Sequence, residues 1–91
     1  MTIEVENNKY KLIKNYKDAF IEEEFISKYT DYFYDYDYIV GDIAYGKLRL
    51  KGFKDSKKAN EINNIKDLDK YIKDYCSYEC RYFLLKKINT K

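Results

Sequence analysis

The spacing of apolar positions changes several times along this chain, and each change predicts an element. Ile3 and Val5 flank Glu4 and predict a short strand over residues 3–5, closed by the turn signal Asn7-Asn8. Residues 10–14 predict a second strand with Tyr10, Leu12 and Lys14 on one side. Asn15 or Asp18 then caps a helix running to about Tyr29. Ile21, Phe25 and Tyr29 recur at i, i+4, i+8 as its buried stripe, and Glu22, Glu23 and Glu24 sit in the early turns, where the helix dipole favours them.

Strict alternation in Tyr32-Phe33-Tyr34-Asp35-Tyr36-Asp37-Tyr38 predicts an extended segment with one aromatic and one acidic face. Residues 38–42 then read as a buried strand, Ala44-Tyr45-Gly46 as a turn, and Lys47–Phe53 as a returning strand. Leu48 and Leu50 point inward there, while Lys47, Arg49 and Lys51 point outward. Residues 54–64 are a polar loop with Ile62 packing back. Asn64 caps a second helix whose inner face is Ile65, Leu68, Ile72 and Tyr75 or Cys76. Residues 81–87 are apolar enough for a strand inside a sheet. The order ββ-α-ββ-α-β, with its central hairpin over residues 38–53, predicts an α+β fold: a small, mainly antiparallel sheet with two helices. Ninety-one residues suffice for one domain, residues 1–91.

Composition narrows the chemistry. The chain has no His, Trp or Pro, which removes Ser-His-Asp and Cys-His catalysis and any His-ligated metal. Two Cys cannot close a four-ligand zinc site alone, and they are too few for a secreted disulfide framework. Apolar runs fall far short of the roughly 20 residues of a membrane-spanning helix, and the N-terminus has no apolar signal core. The expectation is a cytoplasmic protein with no cofactor and no membrane partner. Lys, Asn, Ile and Tyr make up 45 of the 91 residues. All four have AT-rich codons, so abundance of Lys and Tyr alone is discounted as evidence of function. Charge is split along the chain: residues 1–46 carry five Lys against ten acids, and residues 47–91 carry thirteen bases against six acids.

Four groups of residues offer chemistry. The first is basic: Lys47, Arg49 and Lys51 lie about 7 Å apart along one strand face, extended by Lys54, Lys57 and Lys58, with Tyr45 as a stacking ring at the turn. This suits RNA, a ribonucleoprotein or another anionic partner, and equally a solvated sheet face. The second is the Tyr/Asp-rich segment 29–42, with Tyr32, Tyr34, Asp35, Tyr36 and Asp37, suited to a protein interface or to a core whose hydroxyls reach water. It lacks the D-x-D-x-D-G spacing of a Ca²⁺ loop. The third is Cys76 with Cys80, a thiol pair for redox sensing or simply buried. The fourth is Asp42, Tyr45 and Arg49, a polar turn group without a nucleophile or base. None constitutes a catalytic set, so a non-catalytic binding module is expected. RNA or a ribonucleoprotein on the hairpin is the leading reading, with a protein adaptor or a redox sensor as alternatives.

Tyr36-Asp37-Tyr38-Ile39-Val40-Gly41-Asp42, followed by Tyr45-Gly46-x-Leu48-Arg49-Leu50-Lys51-Gly52-Phe53, resembles the central motif of the YutD-like family of small proteins from low-GC Gram-positive bacteria. Tyr10-x-Leu12-Ile13 and Tyr75-Cys76-x-Tyr78-x-Cys80-x-Tyr82-Phe83 are similar to the same family. The resemblance implies a cytosolic bacterial α+β domain and brings no assigned activity.

Overall fold

An apolar strand near the C-terminus, Tyr82–Ile88 (β5), lies at the centre of the sheet, with Phe83, Leu84 and Leu85 all buried. Adjacent residues of a strand point to opposite faces, so three consecutive buried side chains require cover on both. The computed structural model describes residues 1–55, 64–75 and 81–88. Its elements are β1 (Thr2–Val5), β2 (Asn8–Tyr16), α1 (Glu22–Lys28), a 3₁₀ turn (Asp31–Asp35), β3 (Tyr38–Ala44), β4 (Lys47–Phe53), a second 3₁₀ turn (Ile65–Asp67) continuing into α2 (Leu68–Tyr75), and β5. The spatial order is β1-β2-β5-β3-β4, with every pair antiparallel. The last strand thus joins the N-terminal hairpin to the central one. The α+β class and the ββ-α-ββ-α-β order are as the sequence predicts.

One face of the sheet carries the larger core. Ile3, Val5, Tyr10, Ile39, Leu48, Phe83 and Leu85 pack beneath Phe25 and Tyr29 of the α1 segment and Phe33 of the first 3₁₀ turn. The rings meet edge-on: Phe25 and Phe83 are 6.2 Å apart, Tyr10 and Tyr29 5.8 Å. Tyr10 and Tyr29 also share a hydroxyl hydrogen bond of 2.7 Å, which satisfies two polar tips inside the core. A Cβ at Gly41 would overlap the Phe83 ring, so glycine there is a packing requirement. On the other face Val40, Phe53 and Leu84 pack beneath Ile65, Leu68, Tyr71 and Ile72. The two helices therefore cover opposite faces.

Three local expectations are corrected. The first helix starts at Glu22, because β2 continues to Tyr16 and Lys17 and Asp18 turn the chain at positive φ. Asn15 Oδ1 accepts from the Phe20 amide within that turn, Ile21 occupies the N-cap without a side-chain bond, and Ile21 is exposed. The alternating Tyr/Asp stretch is not extended: Thr30 Oγ1 accepts from the Tyr32 amide and the Tyr36 amide donates to the Phe33 carbonyl, closing the 3₁₀ turn. This local capping outweighs the period-2 pattern. A register shift between Leu12 and Lys14 places Lys14 on the face opposite Leu12. Ile62 and Cys76 lie outside the described residues.

Candidate binding surfaces

The β3–β4 register sets Asp42 directly opposite Arg49, and Arg49 Nε donates to Asp42 Oδ1 at 2.7 Å. Tyr71, reaching over from α2, donates to Oδ2 at 3.3 Å. Asp42 is only 1% exposed, whereas the Arg49 side chain is 46% exposed. The bond to Asp42 raises the Arg49 pKa above its ordinary value and keeps the guanidinium charged. Asp42 and Arg49 thus pair within the hairpin, and Tyr71 ties α2 to that pair. Tyr45 stands at the tip, fully exposed, in a two-residue turn where both Tyr45 (φ +53°) and Gly46 (φ +75°) are left-handed.

Lys47, Arg49 and Lys51 share the outward face of β4, on the side where α2 packs. Lys47 is exposed. Lys51 is half-buried, its Nζ 5.6 Å from the Tyr71 ring centroid. Lys54 Nζ stands 5.7 Å from the Tyr36 ring. Lys57 and Lys58 lie outside the described residues, as do Cys76 and Cys80.

The Tyr/Asp-rich segment resolves into two roles. Tyr29 and Phe33 are core. Tyr32 is 59% exposed, yet its hydroxyl is 3.0 Å from that of Tyr36. Tyr34 is also exposed and donates to Glu6 Oε1 at 2.8 Å, which pushes its pKa up to about 12. Asp35 is exposed, and Asp37 Oδ2 accepts from the Asp55 amide. The same layer exposes Ile26 at 43%, beside the exposed carboxylates of Glu22, Glu23 and Glu24. Large apolar side chains and acids are thus presented together.

The sequence analysis did not single out Lys9, Lys11, Lys14 and Lys86, which the β2–β5 pairing gathers on the second face of the sheet. The alternation of Lys9 and Lys11 with Tyr10 and Leu12 was a readable signal for part of this row. Its continuation through Lys14 depends on the bulge, and Lys86 arrives from the far end of the chain.

Among the described residues no helix is long and apolar enough to cross a membrane. The family model described as "Putative antitoxin YutD-like" matches residues 4–86. The chain is 49% identical over 86 residues to "Putative antitoxin YutD" of Bacillus subtilis (strain 168), covering 92% of this chain and 94% of the relative. It is also similar to the solution NMR structure of protein yutD from B. subtilis, with a TM-score of 0.83 and 45% identity over 98% of this chain and 83% of that one.

Proposed function

The chain belongs to the YutD-like family, and from that premise we propose that it is a non-catalytic binding protein that holds a protein partner against the α1–3₁₀ layer. The observation that carries this reading is Tyr32: its ring is 59% exposed while its hydroxyl is tethered to Tyr36. Tyr34 is tethered likewise to Glu6. Exposed rings already held in place lose little rotamer freedom on binding, which is the main cost of using aromatic contact area. Ile26 adds apolar surface, and Glu22, Glu23, Glu24 and Asp35 supply an acidic rim. Such a rim selects a basic partner surface and speeds encounter. The family's description as an antitoxin agrees with a protein that acts by occupying another macromolecule. An anionic partner on the hairpin has less support, since Arg49 is engaged with Asp42 and Lys51 with Tyr71.

The test compares wild type with an Ile26→Ser/Tyr32→Ser variant as baits in cross-linked capture from a low-GC Gram-positive lysate, with and without nuclease treatment. Both baits are first matched by circular dichroism and melting temperature. A protein recovered by the wild type and lost from the variant is the expected result. Equal recovery by the two baits, or recovery that disappears with nuclease, overturns the reading.

A further inference from the structure

Among the described residues, the second face of the sheet is covered over only part of its width. α2 rests on Val40, Phe53 and Leu84, whereas Lys9, Lys11, Lys14 and Lys86 are exposed on β2 and the adjoining β5. The register puts Lys11 directly opposite Lys86, Lys14 opposite Leu84, and Tyr16 opposite Tyr82. Alternate residues of a strand lie about 7 Å apart, so the four ammonium groups form a short two-row field. It is bordered by Glu4, opposite Lys9, and by Asp69 of α2, whose charge acts on Lys14. Like charges directly across a sheet repel each other, so an anion lying on the Lys11–Lys86 pair relieves that repulsion, while Lys86 Nζ stands 6.0 Å from the Tyr38 ring. At one end of the field the Tyr16 and Tyr82 rings are 5.6 Å apart, tilted by 37°, with Tyr16 exposed and Lys14 Nζ 5.3 Å from the Tyr82 centroid.

We propose that this open half of the sheet docks single-stranded nucleic acid, with backbone phosphates on the Lys9, Lys11, Lys86 and Lys14 field and a base stacked on the Tyr16–Tyr82 pair. Charge complementarity supplies the attraction. The ring pair selects a polymer that carries flat, unpaired bases beside its phosphates, which an acidic protein surface and a closed duplex both lack. The surface lies on the face opposite α1, so the proposal stands independently of a protein partner on the α1–3₁₀ layer.

Fluorescence anisotropy with a labelled oligouridylate of about 12 nucleotides tests it. Binding is expected at low salt and weakens steeply as salt rises. The Lys11→Glu variant lowers affinity roughly fivefold or more, while Lys28→Glu, an equal charge change on the α1 layer of the opposite face, lowers it less than about twofold. Tyr82→Ala lowers affinity roughly fivefold or more with charge unchanged. Circular dichroism checks each fold, and Lys11→Gln/Lys86→Gln replaces the reversal variant if that one fails to fold. The proposal is overturned by absence of binding at low salt, by equal loss in the two charge variants, or by equal competition from unlabelled duplex RNA. It is also overturned if sedimentation shows that the wild type self-associates through the field and binds no oligouridylate.

Discussion

Asp42 holds its carboxylate at 1% exposure between Arg49 and Tyr71, and that position dictates what its neighbours can be. Replacing Arg49 by Met removes the charged donor and leaves a buried anion with a phenol. The expected loss of stability is about 1–3 kcal/mol, read as a lower midpoint in urea unfolding with an unchanged slope. An unchanged midpoint would mean that the pair contributes nothing. The tyrosines make a second residue-scale prediction. Tyr34 is raised to about 12 by its bond to Glu6. Tyr10 is raised by burial first and then by its bond with Tyr29, and Tyr29 by burial. Their neutral forms are favoured by the fold, so their contribution to stability is complete below the ordinary value near 10 and is lost as pH rises through the folded values. For Tyr34 that window is about pH 10 to 12. Phenolate absorbance should show Tyr34 titrating late in wild type and nearer to 10 in Glu6→Gln; identical titration curves would refute the assignment.

At the scale of elements, the β3–β4 hairpin stands out because its turn works against one of its own residues. Tyr45 adopts φ +53° with no burial in return. The two-residue turn of this type favours Asn-Gly. Tyr45→Asn should therefore raise stability by about 0.5–1 kcal/mol. Gly46→Ala should lower it by about 1 kcal/mol, because Gly46 sits at φ +75° although its surroundings are open. Thermal unfolding of the two variants checks both signs. Stabilisation by Tyr45→Asn would leave no folding reason for the tyrosine and make the exposed ring the next residue to substitute in binding assays. Lower stability instead would show that the ring supports the hairpin. The first helix presents the opposite balance. It has seven residues and no side-chain N-cap bond, so it rests on Phe25 and on the three glutamates of its first turn.

For the molecule as a whole, β5 decides whether there is one sheet or two hairpins. It pairs with β2 on one side and β3 on the other, and it supplies Phe83 and Leu85 to one core and Leu84 to the second. An isolated hairpin is marginal in water. A chain ending at residue 80 should therefore lose cooperative unfolding altogether, seen as collapsed amide dispersion in its NMR spectrum. A retained cooperative transition would show that the N-terminal part folds without the closing strand. The same topology separates charge across the sheet, with Glu22, Glu23 and Glu24 on the α1 layer and Lys9, Lys11, Lys14 and Lys86 on the opposite face.

Much of this was legible in the residues because the forces involved are local. Alternation of Leu48 and Leu50 with Lys47, Arg49 and Lys51 predicts β4 and its two faces, the turn at Tyr45-Gly46 joins it to β3, and the apolar run at Phe83-Leu84-Leu85 predicts an interior strand. The motif over residues 36–53 carried the family. The path of the Tyr/Asp segment was not legible, since a period-2 pattern cannot show that Thr30 caps a turn and that Phe33 enters the core beside Tyr29. The surfaces depended on distant partners as well. Arg49 and Lys51 look like free cations along the strand until the β3–β4 register sets Asp42 beside Arg49 and α2 brings Tyr71 onto Lys51. Lys11 and Lys86 are 75 positions apart and become neighbours when β5 inserts beside β2. The sequence by itself determined the order of strands and helices, the family and the two faces of β4, because these follow from neighbours a few residues apart. The tertiary structure alone decided which charges are neutralised and which are left open, because that depends on which elements pack together.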